Sequence, residues 1–353
     1  MPNRNSSEST RTGNGARVLY YDILNILAIL AVLALHHNGI VHSYRAGRAW
    51  KESLVVECVF YWAVPVFIML SGATLMQYRK RYSTAAFFKK RILRTVVPFL
   101  LWSLIMLLWK TQTGALDLTG KSFRDVCSMI GTYQIETSYY FFGVLFACYL
   151  AIPVFSLLTD NRQILWYITA LNFLFASVRP VLKTWLNFEW SLDIAVVGGL
   201  AIYLLLGYLI STTDLKKPTR LLIYSAGIAG CALRFIYTYV RSIRAGATDT
   251  SIKGYPMFHA VFLTLAVFVF VRQIPWETIL SPRVKKAAAW LSARSFGIFL
   301  VHKIVLYYEL EFTHLKNTSF IWRILMIPVT YVISLAVVTI LKKIPVIGKV
   351  ICG

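Results

Sequence analysis

The chain has 353 residues, 58% hydrophobic and 15% charged, with a mean hydropathy of +0.62. That is too apolar for a fold in water, where about half apolar and a quarter charged is usual, and its long apolar runs exclude a transmembrane β-barrel of alternating strands. The formal charge of +22, from 37 Lys and Arg against 15 Asp and Glu, suits the cytoplasmic loops of a membrane protein; no nucleic-acid partner is expected.

Residues 1–16 are polar and rich in Ser, Asn, Gly and Thr, a composition expected to stay disordered. Ten apolar spans follow at 18–38, 53–77, 95–110, 139–158, 163–178, 192–211, 220–240, 256–272, 290–310 and 320–341, each close to the length of a membrane-crossing helix. The fold class is therefore an all-α integral membrane protein of about ten transmembrane helices. One polytopic domain is expected over 17–345, with a short cytoplasmic tail at 346–353, and the retained first span reads as a helix and not a signal peptide. Lys and Arg are unevenly shared between the two sides, 21 against 12, with 4 inside spans. The excess puts both termini in the cytoplasm, with the plasma membrane as the expected location. Arg79, Lys80, Arg81, Lys89, Lys90, Arg91 and Arg94 dominate that side, and no acid lies among them.

The first span holds Asp22, Asn25, His36 and His37. At 100° per residue, Asn25 lies about 20° and Asp22 about 40° from His36, so the three form one polar stripe about 21 Å long. His37 points about 100° away. Ionisable groups inside a bilayer cost about 2.5–3.5 kcal/mol each on insertion scales, and a lone histidine is most simply a buried hydrogen-bonder. Three aligned polar groups ask for more, with Asp22 acting near the cytoplasmic end and His36 near the outer end. In the second span Glu57 lies at a depth close to that of His36. A carboxylate there orients an imidazole and raises its basicity, although a headgroup-facing glutamate is an equal reading. The same span carries Pro65 and then Ser71-Gly72, a kink followed by a site of close packing.

Arg91 and Arg94, at i and i+3, share a face at the mouth of the third span. Guanidinium forks there suit the phosphates of a nucleotide or coenzyme A; plain positive-inside topology is the competing reading. His302 sits in the ninth span, and His259, Asp193 and Arg234 are further buried candidates. Cys58, Cys127, Cys148, Cys231 and Cys352 have no metal-ligand or redox spacing. No metal site and no bound cofactor are expected.

The pattern resembles the family 3 membrane acyltransferases, and within them the stand-alone branch that O-acetylates surface polysaccharides. Asp22, Asn25 and His36 align with that family's acid, Arg and His in the first span. Val64–Gly72, Lys90–Arg94 running into Val97-Pro98, Tyr140–Gly143 through Tyr149–Pro153, and Ser295–His302 resemble later motifs in the same order. Asn25 stands where the family usually has Arg, so either a donor here relies on other groups such as Arg91 and Arg94, or activity is reduced. The chain length leaves no room for the extracytoplasmic domain fused to some members. What the resemblance implies is transfer of an acyl group, most simply acetyl, from cytoplasmic acyl-CoA to a hydroxyl of a glycan or lipid-linked sugar. His36 would serve as general base or transient acyl carrier, with Glu57 orienting it and His302 next in line. Acyl-CoA is then a co-substrate, and the partners are the sugar acceptor and membrane lipids. Trp50, Tyr133 and Trp185 are candidates for stacking on sugar rings, although aromatic belts at the membrane interfaces explain them as well. The rival readings are a multi-pass transporter of an envelope precursor or small organic acid, which lacks the support of an internal repeat, and a non-catalytic sensor.

Overall fold

The computed structural model describes residues 17–192, 198–344 and 348. The expected tails at 1–16 and 346–353, apart from Gly348, lie outside the described residues, as does Asp193. The described chain is all-helical: α1 Leu19–His37, α2 Arg48–Phe60, α3 Ala63–Leu75, α4 Thr84–Arg91, α5 Val97–Gln112, α6 Phe123–Gly131, α7 Tyr140–Phe155, α8 Arg162–Phe173, α9 Arg179–Leu186, α10 Ala201–Ser211, α11 Lys217–Ala245, α12 Phe258–Gln273, α13 Trp276–Ile279, α14 Pro282–Ser292, α15 Ser295–Thr313 and α16 Met326–Leu341.

Among the described residues, seven continuous or near-continuous helices are long and apolar enough to cross a bilayer. The pair α14 and α15, bent by 58°, makes an eighth candidate, and α10 and α12 are shorter apolar helices. Each of the ten expected spans thus contains helix; α12 is shorter than a full span, and the described helical part of the sixth span is α10, the rest including residues outside the described ones. The protein is an all-α integral membrane protein.

Burial follows the solvent that each face meets. In α5, Leu100, Leu104 and Leu108 repeat every fourth residue and are exposed, a stripe that only a hydrocarbon phase makes favourable. In α1 the apolar residues are instead enclosed: Leu24, Ala28, Ile29, Val32 and Leu33 are buried. The reason is position, since α1 contacts α3, α12, α14, α15 and α16. A polar stripe on such a central helix faces protein and not lipid.

The second span breaks at Tyr61 and Trp62, between α2 and α3, ahead of Pro65, which sits in the first turn of α3. Farther along, α3 lies almost backbone to backbone with α10. A Cβ at Gly72 would stand 1.9 Å from the Leu204 carbonyl oxygen, and one at Gly207 would stand 2.0 Å from that of Met69. Small residues that let backbones approach are a principal source of helix association in lipid, and these two glycines serve each other's helix.

Candidate active site

Each end of the α1 stripe opens on its own cavity. The first cavity has a volume of about 280 Å³ and is lined by Asp22, Asn25, Ser71, Arg91, Tyr149 and Ser295 together with apolar side chains. Asp22 accepts from the Arg17 guanidinium at 2.5 and 2.7 Å, and Arg17 also donates to the Ala289 carbonyl at 2.8 Å. Asn25 donates to the carbonyl and hydroxyl oxygens of Ser292 at 3.0 and 3.1 Å. Both stripe residues therefore tie the start of α1 to α14. Arg17 lies before the helix, where no helical-wheel argument reaches it. Its charge balances Asp22.

Arg91 and Arg94 part company. Arg91 lines the first cavity, its guanidinium 5.6 Å from the Tyr149 ring centre and 5.9 Å from that of Phe87. Its Nε is buried without a hydrogen-bond partner. Arg94 is exposed and outside the lining. The expected shared face fails because residues Ile92–Val96 form a π-helical turn, whose wider winding breaks the i, i+3 register and rotates Arg94 away. Ser295 Oγ, on another lining residue, is likewise buried and unpartnered. Both atoms are open to a hydrogen bond with whatever occupies the cavity.

The second cavity, about 330 Å³, is lined by His36, His42, Glu57, Tyr61, Ser138, Tyr140, Lys253 and Tyr255 among others. His36 and Glu57 thus face one space, as expected, but Glu57 does not orient His36. Its carboxylate lies 3.3 Å from Arg234 and 3.9 Å from Lys253, because α11 packs on α2 and brings in a buried guanidinium that needs an anion. Arg234, left without a partner by the sequence, is held by Glu57 and stacks 3.6 Å from the centre of the Tyr61 ring.

The group that touches His36 is His302. Their ring planes are 4° apart, and Nδ1 of His36 lies 2.6 Å from Nε2 of His302, so the rings meet edge to edge. The Nδ1 of His302 lies 2.6 Å from the Phe299 carbonyl, which can only accept. His302 therefore carries its proton on Nδ1, and its Nε2 offers a lone pair. Burial without a carboxylate partner favours two neutral rings, so His36 donates from Nδ1. That leaves the Nε2 lone pair of His36 free, on the side chain that faces the cavity. The tautomer follows from the second hydrogen bond, as it does for histidines held for catalysis or metal binding.

His37 goes elsewhere, as its wheel position requires. It is buried against Trp322, with Nε2 2.8 Å from the Thr330 hydroxyl, which donates to Glu309 at 2.5 Å. His259 donates from Nε2 to the Ile252 carbonyl at 2.8 Å and so serves the fold. Trp50 is buried with its indole N–H on the Val41 carbonyl and so is not free to stack on a sugar, whereas Tyr133 is half-buried with its hydroxyl end beside Gly143. Trp185 is exposed and pairs with Tyr237.

Glu136, in the loop before α7, was not legible in the sequence. It accepts from the Ser138 N–H and hydroxyl and from Lys110. Burial pushes its carboxyl upward, but the Lys303 and Lys110 charges together with the hydrogen bonds from Lys110 and Ser138 outweigh burial and hold it below the usual range. Ser138 is a local partner, but Lys110 and Lys303 come from distant segments that no local spacing announces.

No curated protein and no solved structure matches this chain. The family model for the acyltransferase domain of family 3 matches residues 18–341, from the first turn of α1 to the end of α16 and across both cavities. The chain is a membrane acyltransferase of that family.

Proposed function

We propose that the protein transfers an acyl group, most simply acetyl, from acyl-CoA on the cytoplasmic side to a hydroxyl of a glycan or lipid-linked sugar on the outer side of the plasma membrane. The observation that carries this reading is the arrangement of the two cavities on one helix. The Asp22 end offers Arg91 and serines to a phosphorylated donor, and the His36 end offers a free imidazole nitrogen.

In the direct form of the reaction the acceptor hydroxyl gives its proton to Nε2 of His36 as its oxygen attacks the thioester carbon. The C–O bond forms, the C–S bond breaks, and the proton returns to the departing thiolate. The charge developing on His36 is shared with His302 through the Nδ1–Nε2 hydrogen bond. The alternative, in which Nε2 itself carries the acyl group between donor and acceptor, uses the same lone pair. Tyr61, Tyr140, Tyr255, Ser138 and Glu57 provide the mixed aromatic and hydrogen-bonding wall that a sugar requires. The positive-inside count supports the orientation.

Purified protein in detergent, given labelled acetyl-CoA and a membrane extract as the source of acceptor, tests the function. Release of CoA with label on an extract component is expected. Neither event, in folded protein, would favour the transporter.

A further inference from the structure

The two cavities meet at a pair of aromatic rings. Phe141 of α7 and Phe299 of α15 line both. Their centroids are 5.4 Å apart with the planes at 69°, and both side chains are buried. Phe67 supports Phe141 from the first cavity at 5.8 Å. Phe142 backs Phe299 at 5.9 Å. On the other side, the ring of Phe299 lies 5.7 Å from that of His302, and its own carbonyl holds the Nδ1 proton of His302. One residue therefore forms the partition and fixes the tautomer of the histidine couple.

We propose that Phe141 and Phe299 form a septum that sets the length of the acyl chain this protein transfers. The proposal rests on the reading of the first cavity as the donor side and the second as the acceptor side. For the hydroxyl oxygen at His36 to bond to the thioester carbon while the C–S bond breaks, that carbon must stand at the seam between the cavities. The rest of the acyl chain then lies against the two rings. A methyl group fits flat on a ring face. Each further methylene must displace a ring that is already held by Phe67 or Phe142, and packed aromatic walls yield poorly. A single methylene in an apolar pocket changes discrimination by about 10–200-fold.

The test is the chain-length profile of CoA release, with acetyl-, propionyl-, butyryl- and hexanoyl-CoA as donors and a membrane extract as acceptor. In the unmodified protein, acetyl-CoA should outpace hexanoyl-CoA by about 100-fold or more. Phe141→Leu and Phe299→Leu each widen the seam, and the second leaves the carbonyl that holds His302. Both should raise the hexanoyl-to-acetyl ratio about tenfold or more. Phe141→Trp should move the ratio of butyryl to acetyl the other way. Equal use of all four donors by the unmodified protein would overturn the septum whatever the variants do, as would unchanged ratios in variants that still transfer acetyl. Absence of CoA release with any donor is a different failure, which removes the donor reading and the septum with it.

Discussion

The two ends of α1 face similar volumes but are built for different chemistry. The cavity at Asp22 has its ionisable groups either paired with one another, as Asp22 is with Arg17, or presented as permanent charge, as Arg91 is. The cavity at His36 instead collects hydrogen-bonding groups: two histidines, three tyrosines and an acid held by Arg234 and Lys253. Fixed positive charge binds an anion without changing state, whereas a neutral imidazole with one free nitrogen moves a proton. The proposed reaction therefore assigns binding to one end of the helix and chemistry to the other, and on that proposal substitutions at the two ends should fail in different ways.

The largest effect is expected at His36. His36→Ala should lower turnover by about 10²–10⁴-fold, the range of a lost general base. His37→Ala, at the adjacent position but held by Thr330, should retain much of the activity in a labelled acetyl-transfer assay. Equal losses would dissolve the distinction between the two faces of α1. Next comes His302, which positions His36 and does not itself line the cavity. His302→Ala should lower kcat by about 10–100-fold at unchanged acyl-CoA KM. His302→Gln, whose amide oxygen can still accept from Nδ1 of His36, should recover part of that loss. A variant that merely unfolds would show no such rescue.

At the other end, Arg91→Gln should raise the acyl-CoA KM about tenfold with little change in kcat, the sign of lost ground-state binding. Arg94→Gln should leave KM near its original value, because the π-helical turn keeps Arg94 out of the cavity. Matching KM shifts in both variants would return the two arginines to a general electrostatic role. Smaller still is the contribution of Glu136, measured as thermal stability against pH. Its carboxyl is held below the ordinary glutamate range of about 4.3. The stability it contributes is thus present above that value and is lost as pH falls through the lowered one. Glu136→Gln should remove this acid-side loss, and an identical pH profile in the variant would show that the Lys110 and Lys303 charges do not act through Glu136. Ser43→Cys should not change activity at all. With the native cysteines replaced, including the exposed Cys127, it should label from outside intact cells, since residue 43 is exposed in the loop after α1. Labelling only after lysis would exchange donor and acceptor sides.

Much of the architecture was legible because a bilayer imposes it. Runs of apolar residues must be helical where no water can satisfy the backbone, and the stripe of Asp22, Asn25 and His36 follows from the helical period alone. The separation of His36 from His37 was legible for the same reason. Where the local period changed, inference from spacing failed. The π-helical turn at Ile92–Val96 divided Arg91 from Arg94, and the break at Tyr61 and Trp62 preceded the proline expected to cause it.

The sequence by itself determined the helical membrane fold and the face and position along α1 of each of its polar groups, since composition and a fixed 3.6-residue period suffice for both. Only the tertiary structure decided who touches whom. Glu57 could have served His36 by depth, but α11 brought Arg234 to it, and α15 brought His302 to His36 from 266 residues away. Such pairings depend on how the helices pack, and a one-dimensional pattern carries a residue's depth and face but not the neighbour that face will meet.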